Sequence, residues 1–188
     1  MAIKIFIDQG HNPQNPNAGS EGNGLREQDL TYDIGQRLAQ LLRQNGNFEV
    51  RLSRNSPTEV LGTSNSTSLQ QRVNGANSWG ADAFISLHTN ASNDASANGA
   101  EALVYSLGTS AANLADDMLT GLVNATGLRD RGVKARPGLY VLRRTEMPAV
   151  LMEMGFITNP SDAAVMRDRA DAVARGMYNG ILRYYGLS

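Results

Sequence analysis

Apolar residues change their spacing repeatedly along this chain, and each change marks an element. Ala2 to Asp8 is a short isoleucine-rich run that ends at Gly10, the pattern of a buried strand. Gln9 to Arg26 is crowded with Asn, Pro and Gly and reads as a loop. Leu30, Ile34, Leu38, Leu41 and Leu42 then recur at helical spacing, so Gln28 to Gln44 is expected to be an amphipathic helix, stopped by Asn45-Gly46. Phe48 to Ser53 alternates as a strand does, and Asn55 to Thr67 is polar and irregular. Ser68 is expected to cap a helix that runs to Trp79, with Leu69, Val73 and Ala76 inward.

The second half repeats the alternation. Ala83 to Leu87 and Ala100 to Tyr105 read as strands, separated by a polar loop over Thr89 to Asn98. Ala111, Ala115, Met118, Leu119 and Leu122 mark a helix closed by Gly127. Leu139 to Leu142 and Ala149 to Glu153 are expected as two further strands, and Ser161 to Asp168 and Ala170 to Tyr185 as helices. Strands that alternate with helices over the whole length predict an α/β fold, a mainly parallel twisted sheet with helices on both faces. The long loops at 12–26, 55–67, 89–98 and 128–138 are the segments in which function is expected.

The 188 residues suit one domain, expected to span 1–188, and the 41% hydrophobic and 19% charged composition is that of an ordinary globular protein. A net charge of −1 leaves no footprint for nucleic acid or an anionic membrane surface. Basic residues are scattered; the densest cluster, Arg129 to Arg136, is interrupted by Asp130 and Gly132. With no cysteine there is no disulfide, thiolate metal site or cysteine nucleophile. No apolar run approaches the roughly 20 residues that span a bilayer. The opening MAIKIFIDQG enters the first strand with no signal pattern. The expectation is therefore a chain made without a secretion signal, or a mature or excised domain. Gly19 to Gly24 lacks the Gly-Lys-Ser/Thr of a phosphate loop, and no serine sits in a Gly-x-Ser-x-Gly elbow.

The chain has two histidines, and each follows a predicted strand: His11 after IKIFIDQG and His88 after AFISL. Ligands in open α/β sheets bind at the carboxyl ends of the strands, so both imidazoles are expected at one sheet edge. Either can be an ordinary hydrogen-bonded histidine, but their equivalent positions favour a shared metal site. Glu27 stands where the first helix returns to that edge. Position alone does not separate a third metal ligand from a carboxylate favoured by the helix dipole. Glu153 ends an apolar strand, where burial raises a carboxyl pKa. It suits a general base, or equally a carboxylate that caps the sheet edge or pairs with a cation such as Arg54. Asn90 and Glu101, near the same edge, are candidate substrate contacts, with a turn residue and an ordinary strand-face charge as the alternatives.

At these residues the sequence resembles the bacterial N-acetylmuramoyl-L-alanine amidases of the Amidase_3 type, which cut peptidoglycan. IFIDQGHNPQNPNAG is similar to the family's opening motif, and GLREQDLTYDIGQRL to the stretch that carries its glutamate. RVNGANSWGADAFISLHTNAS matches its Arg-x-x-x-Ala-Asn to Ser-Ile-His-x-Asn segment, and RRTEMPAVLMEMGFITNPSDA its Pro-Ala-x-Leu-x-Glu-x-Gly-Phe signature. These motifs stand in order from about Ile3 to the last helix. The resemblance implies a sheet of about six strands, one zinc ion held by His11, Glu27 and His88, and Glu153 as the catalytic carboxylate. It also implies peptidoglycan as the partner and action at the cell wall, as an autolysin, sporulation enzyme or phage-type endolysin; a monomer is expected. Two departures stand out. Asn12 follows the first histidine where the family often has Gly, and of the family's Thr-Arg-x-x-Asp only Arg54 is kept. Both bear on loop geometry.

Overall fold

Residues 2–187 are described by the computed structural model. Their centre is a six-stranded sheet, with β1 (Ile3–Gln9), β4 (Phe48–Leu52), β5 (Ala83–Asn90), β6 (Ala100–Val104), β7 (Asp130–Ala135) and β8 (Ala149–Phe156) in the order β4-β1-β5-β8-β6-β7. Five helices of nine residues or more surround it: α1 (Glu27–Asn45), α2 (Asn65–Trp79), α3 (Ser110–Thr126), α5 (Pro160–Asp168) and α6 (Ala170–Tyr184). A short helix, α4 (Tyr140–Arg144), and a two-stranded ribbon, β2 (Glu21–Gly22) with β3 (Leu25–Arg26), complete the fold. The expected α/β fold, with a mainly parallel sheet between helices, is the one observed. The ladders are parallel except between β8 and β6. No helix separates β5 from β6, so the chain reverses there, and β6 and β7 run against the other four strands.

Alternation sorts the strands onto two faces. Ile5, Ile7, Ile85, Leu87, Val150 and Met152 pack with α1, α3 and α6 in the larger core. Phe6, Phe84, Leu103 and Leu151 face α2 and α4 in a smaller one. By the same alternation Asp8, Ser86, His88, Glu101 and Glu153 share this second face. On the first face, α3 and α6 approach backbone to backbone. A Cβ on Gly121 would stand 2.2 Å from the Gly176 carbonyl oxygen, and one on Gly180 would stand 2.3 Å from that of Asp117.

The structure corrects several expected boundaries. Leu139 to Leu142 is not a strand: Tyr140–Arg144 forms α4, which buries Val141 and Leu142 and leaves Arg143 outside. An apolar run of this length carries no period that separates strand from helix. The missing strand is β7, inside the expected loop at 128–138. Its DRGVKA sequence has low β-propensity, and pairing with β6 holds it as a sheet edge. Helix α2 starts earlier than expected: Ser64 caps it through a reciprocal bond pair with Thr67, not Ser68, whose side chain is buried.

Candidate metal centre

His11 leaves the carboxyl end of β1 in a left-handed conformation, φ 68°. That is uncommon for a residue with a side chain, so neighbouring bonds have to hold it. Its carbonyl oxygen accepts from Arg72 Nη2 at 2.8 Å and from Arg54 Nη1 at 3.1 Å. Both arginines are fully buried. Arg72 also donates to Asp8 Oδ1 at 2.6 Å, and Ser86 Oγ donates to Asp8 Oδ2 at 2.7 Å. Burial pushes the Asp8 carboxyl up, but the Arg72 guanidinium, with the Ser86 hydroxyl, holds the group below its usual range.

Asn12 explains one departure noted in the sequence. Its side chain is completely buried. The amide donates to the Pro16 and Leu61 carbonyls at 2.7 and 3.0 Å, while its oxygen accepts from Leu61 N and Arg72 Nη2 at 3.0 and 3.2 Å. A glycine there would leave these loops unstapled. Arg54 keeps a purpose despite its altered surroundings, because it bonds His11 and, at 3.3 Å, the Gln28 carbonyl.

His88 stands on β5, and Gly10 lets it pass: a Cβ there would lie 2.6 Å from His88 Cε1. The two imidazoles meet edge to face, with centroids 4.8 Å apart. Glu27 opens α1, as the returning helix required, and points between them. Its Oε1 lies 3.2 Å from His11 Nε2 and 3.1 Å from His88 Nδ1. The N–H groups of Thr89 and Ser20 donate to Oε1 and Oε2, each at 2.9 Å. Burial would raise this carboxyl, and the two histidines reverse that and hold it well below the usual range. One ligand atom from each of His11, Glu27 and His88 lies within 4.8 Å of the others, a group that can hold a metal ion.

Glu153 is the ladder partner of His88 on one side and of Glu101 on the other. Its Oε2 is buried without a hydrogen-bond partner. Burial, with the negative charges of Glu27 and Glu101, pushes its pKa up to about 8. Pairing with Arg54 does not occur: its two terminal amino groups turn to the His11 and Gln28 carbonyls.

This arrangement can be set beside known proteins. Residues 5–183 match the family described as Amidase_3, N-acetylmuramoyl-L-alanine amidase. The chain belongs to this family. Among the amidases it resembles, CwlM of Bacillus licheniformis is 40% identical over 99% of this chain and 70% of its own length. LytC of Bacillus subtilis is 40% identical over 96% of this chain, which spans 35% of LytC. The catalytic domain of CwlV from Bacillus (Paenibacillus) polymyxa superposes with a TM-score of 0.86 at 30% identity and 99% coverage of both chains. An amidase from Clostridium difficile 630 gives 0.87 at 31%, covering 98% of this chain and 97% of its own.

The remaining candidates in this amidase domain are differently engaged. Asn90 Oδ1 accepts from Ala91 N at 2.9 Å, a turn bond, and its amide stands 3.5 Å from Glu101 Oε1. Glu101 is nearly buried and accepts from Arg131 Nε at 2.8 Å and Lys134 Nζ at 2.5 Å. These cations hold its carboxyl below the usual range although burial pushes it up. Sequence reasoning did not single out Arg131 and Lys134 as site residues. The signal is the Arg129–Arg136 cluster, whose strand has the sequence pattern of a loop.

Proposed function

We propose that this domain hydrolyses the amide between the lactyl group of N-acetylmuramic acid and the L-alanine of the peptidoglycan stem peptide, as a zinc enzyme with Glu153 as its proton carrier. One juxtaposition carries the proposal: a two-histidine, one-carboxylate cluster beside a half-buried carboxylate that has one buried, unpaired oxygen. The donor set fits zinc, whose catalytic sites use such ligands and keep a position open. His11, Glu27 and His88 would hold it. Zinc supplies a Lewis acid there and makes water nucleophilic near neutral pH.

The chain's own residues do the rest. The Ser20 and Thr89 amides orient Glu27, and Arg54 and Arg72 hold the backbone that presents His11. Glu153, the ladder partner of His88 and the bearer of a buried, unpaired oxygen, is placed to take a proton from the attacking water and return it to the departing L-alanine amine. The domain would act at the cell wall as one catalytic unit spanning 1–188, and as a monomer.

Digestion of purified peptidoglycan with and without a chelator tests this. New L-alanine amino termini that disappear with chelator and return with zinc are expected. New reducing sugars would instead make the chain a glycosidase. Stoichiometric iron with little zinc in unsupplemented protein would sink the metal assignment.

A further inference from the structure

The two flanks of the histidine–glutamate cluster differ in chemistry. On one flank a cavity of about 140 Å³ borders His11 and His88 and is lined by Leu69, Leu139, Tyr140 and Leu151. Its lining is mainly apolar, with Tyr140, Asn17 and the paired Asp8 and Arg72 as further polar members. On the other flank, past Glu153, lie Glu101, Arg131 and Lys134. Glu101 is 8% exposed at its side chain and fixes the two cations, which are 27% and 32% exposed. Two cations against one anion leave this flank with a net positive charge, and donors remain to spend. Arg131 uses Nε on Glu101 and Nη1 on the Asn98 carbonyl, leaving Nη2. An ammonium carries three N–H groups, and the Lys134 group bonds one acceptor.

The substrate is equally two-sided. Its sugar arm carries hydroxyl and acetamido groups and no ionised group, whereas its peptide arm ends in carboxylates. Strands lie about 4.8 Å apart, so the two ladder steps from β8 to β7 cover about 10 Å. An extended peptide covers about 3.3–3.6 Å per residue. A carboxylate on the second or third residue past the cleaved bond therefore comes level with Arg131 and Lys134.

We infer that Arg131 and Lys134, aimed by Glu101, form a subsite for a carboxylate of the stem peptide, so that the peptide lies over β6 and β7 and the sugar toward Tyr140. The inference rests on the amidase reading above. It assigns Glu101 a positioning role: the acid sets the direction of the cations and contacts the substrate through them. Sulfate or teichoate-like polyanions are the competing occupants of such a pair, and selectivity separates them.

The test uses soluble N-acetylmuramoyl dipeptides whose terminal carboxyl is either free or a carboxamide. Binding is measured by calorimetry to the zinc-loaded Glu153→Gln protein, so it does not depend on turnover. The free acid is expected to bind about tenfold more tightly than the amide, the factor that one charge-assisted hydrogen bond supplies. Arg131→Gln and Lys134→Gln should each shrink that ratio, and together bring it below about twofold, whereas Lys134→Arg keeps it. Equal binding of acid and amide overturns the inference. So does an unchanged ratio in the doubly substituted protein, or displacement of the acid by equimolar inorganic sulfate. Failure of the amidase reading shows separately, as no cleavage of either dipeptide by the unsubstituted protein while the binding ratio still decides the subsite. Melting curves of each variant exclude unfolding as the cause of a lost ratio.

Discussion

Asp8 and Glu153 leave the same face of the same sheet; Asp8 is the deeper of the two, and Glu153 is half-buried with one oxygen shut off from solvent. Asp8 has Arg72 at 2.6 Å and Ser86 at 2.7 Å, and its carboxyl is held below the usual range. Glu153 has a buried oxygen with no partner, and its pKa stands near 8. Depth is therefore not what separates a structural carboxylate from a reactive one; pairing is. A buried charge with its cation is a fixed part of the scaffold. One without a cation keeps its proton within reach of neutral pH.

The comparison can be broken most sharply at Glu153. Glu153→Gln should lower the rate of peptidoglycan digestion by about 10²–10⁴-fold, the usual contribution of a positioned general acid–base, with the metal content unchanged. If the variant digests purified walls as fast as the parent, the unpaired oxygen has no catalytic meaning. At Asp8 the effect should fall on folding instead. Arg72→Met leaves Asp8 without its cation and His11 without one of its carbonyl donors. A loss of about 3–5 kcal/mol in chemical denaturation is expected, together with weaker zinc retention against a competing chelator. A stability unchanged by the substitution would mean that the pair is not structural.

Asn12→Gly probes the staple between the two. It removes side-chain bonds to Pro16, Leu61 and Arg72. It should cost about 1–3 kcal/mol and loosen metal binding, with both readouts falling together. A further expectation concerns pH in chelator-treated protein. Glu153 has a raised pKa in the folded state, so between about 4.5 and 8 the folded protein binds more protons than the unfolded one. Its contribution to stability is then fully present below the unfolded pKa and is lost as pH rises through 8. Glu153→Gln, which does not ionise, should melt at about the parent's temperature at pH 4 and on the order of 10 °C above it at pH 9. A gap that is constant with pH would refute the shift.

Much of this site was legible before any coordinates. His11, Glu27 and His88 were marked by topology, because strand ends and helix starts share a sheet edge whatever the loops do. Their assignment as one ligand set leaned on the family motifs for Glu27, whose position alone was ambiguous. The reversal at β6 was hidden, since the loop that makes it looks like any other polar loop. The exchange of α4 and β7 was hidden for a related reason. Leu139 to Leu142 is apolar enough for a strand and buries two residues as a single helical turn, whereas DRGVKA becomes a strand because β6 offers it an edge. Asn12 and Arg72 looked like a departure and a motif residue, and their bonds to one another appear only when separate segments are folded together.

The contact of α3 with α6 has a mechanical consequence. Where two helices are separated by side chains, rotamer changes let them slide. Here the Gly121 and Gly176 backbones touch, and a Cβ on either would collide with the other's carbonyl oxygen. The seam leaves no room for a side chain, and its helix α3 packs on β6, β7 and β8. That end of the sheet therefore rests on a closely packed support. Whatever adjustment a cross-linked, irregular wall polymer demands must be made by the loops around it, and a glycine-to-alanine change in that seam should distort that support without touching a single site residue.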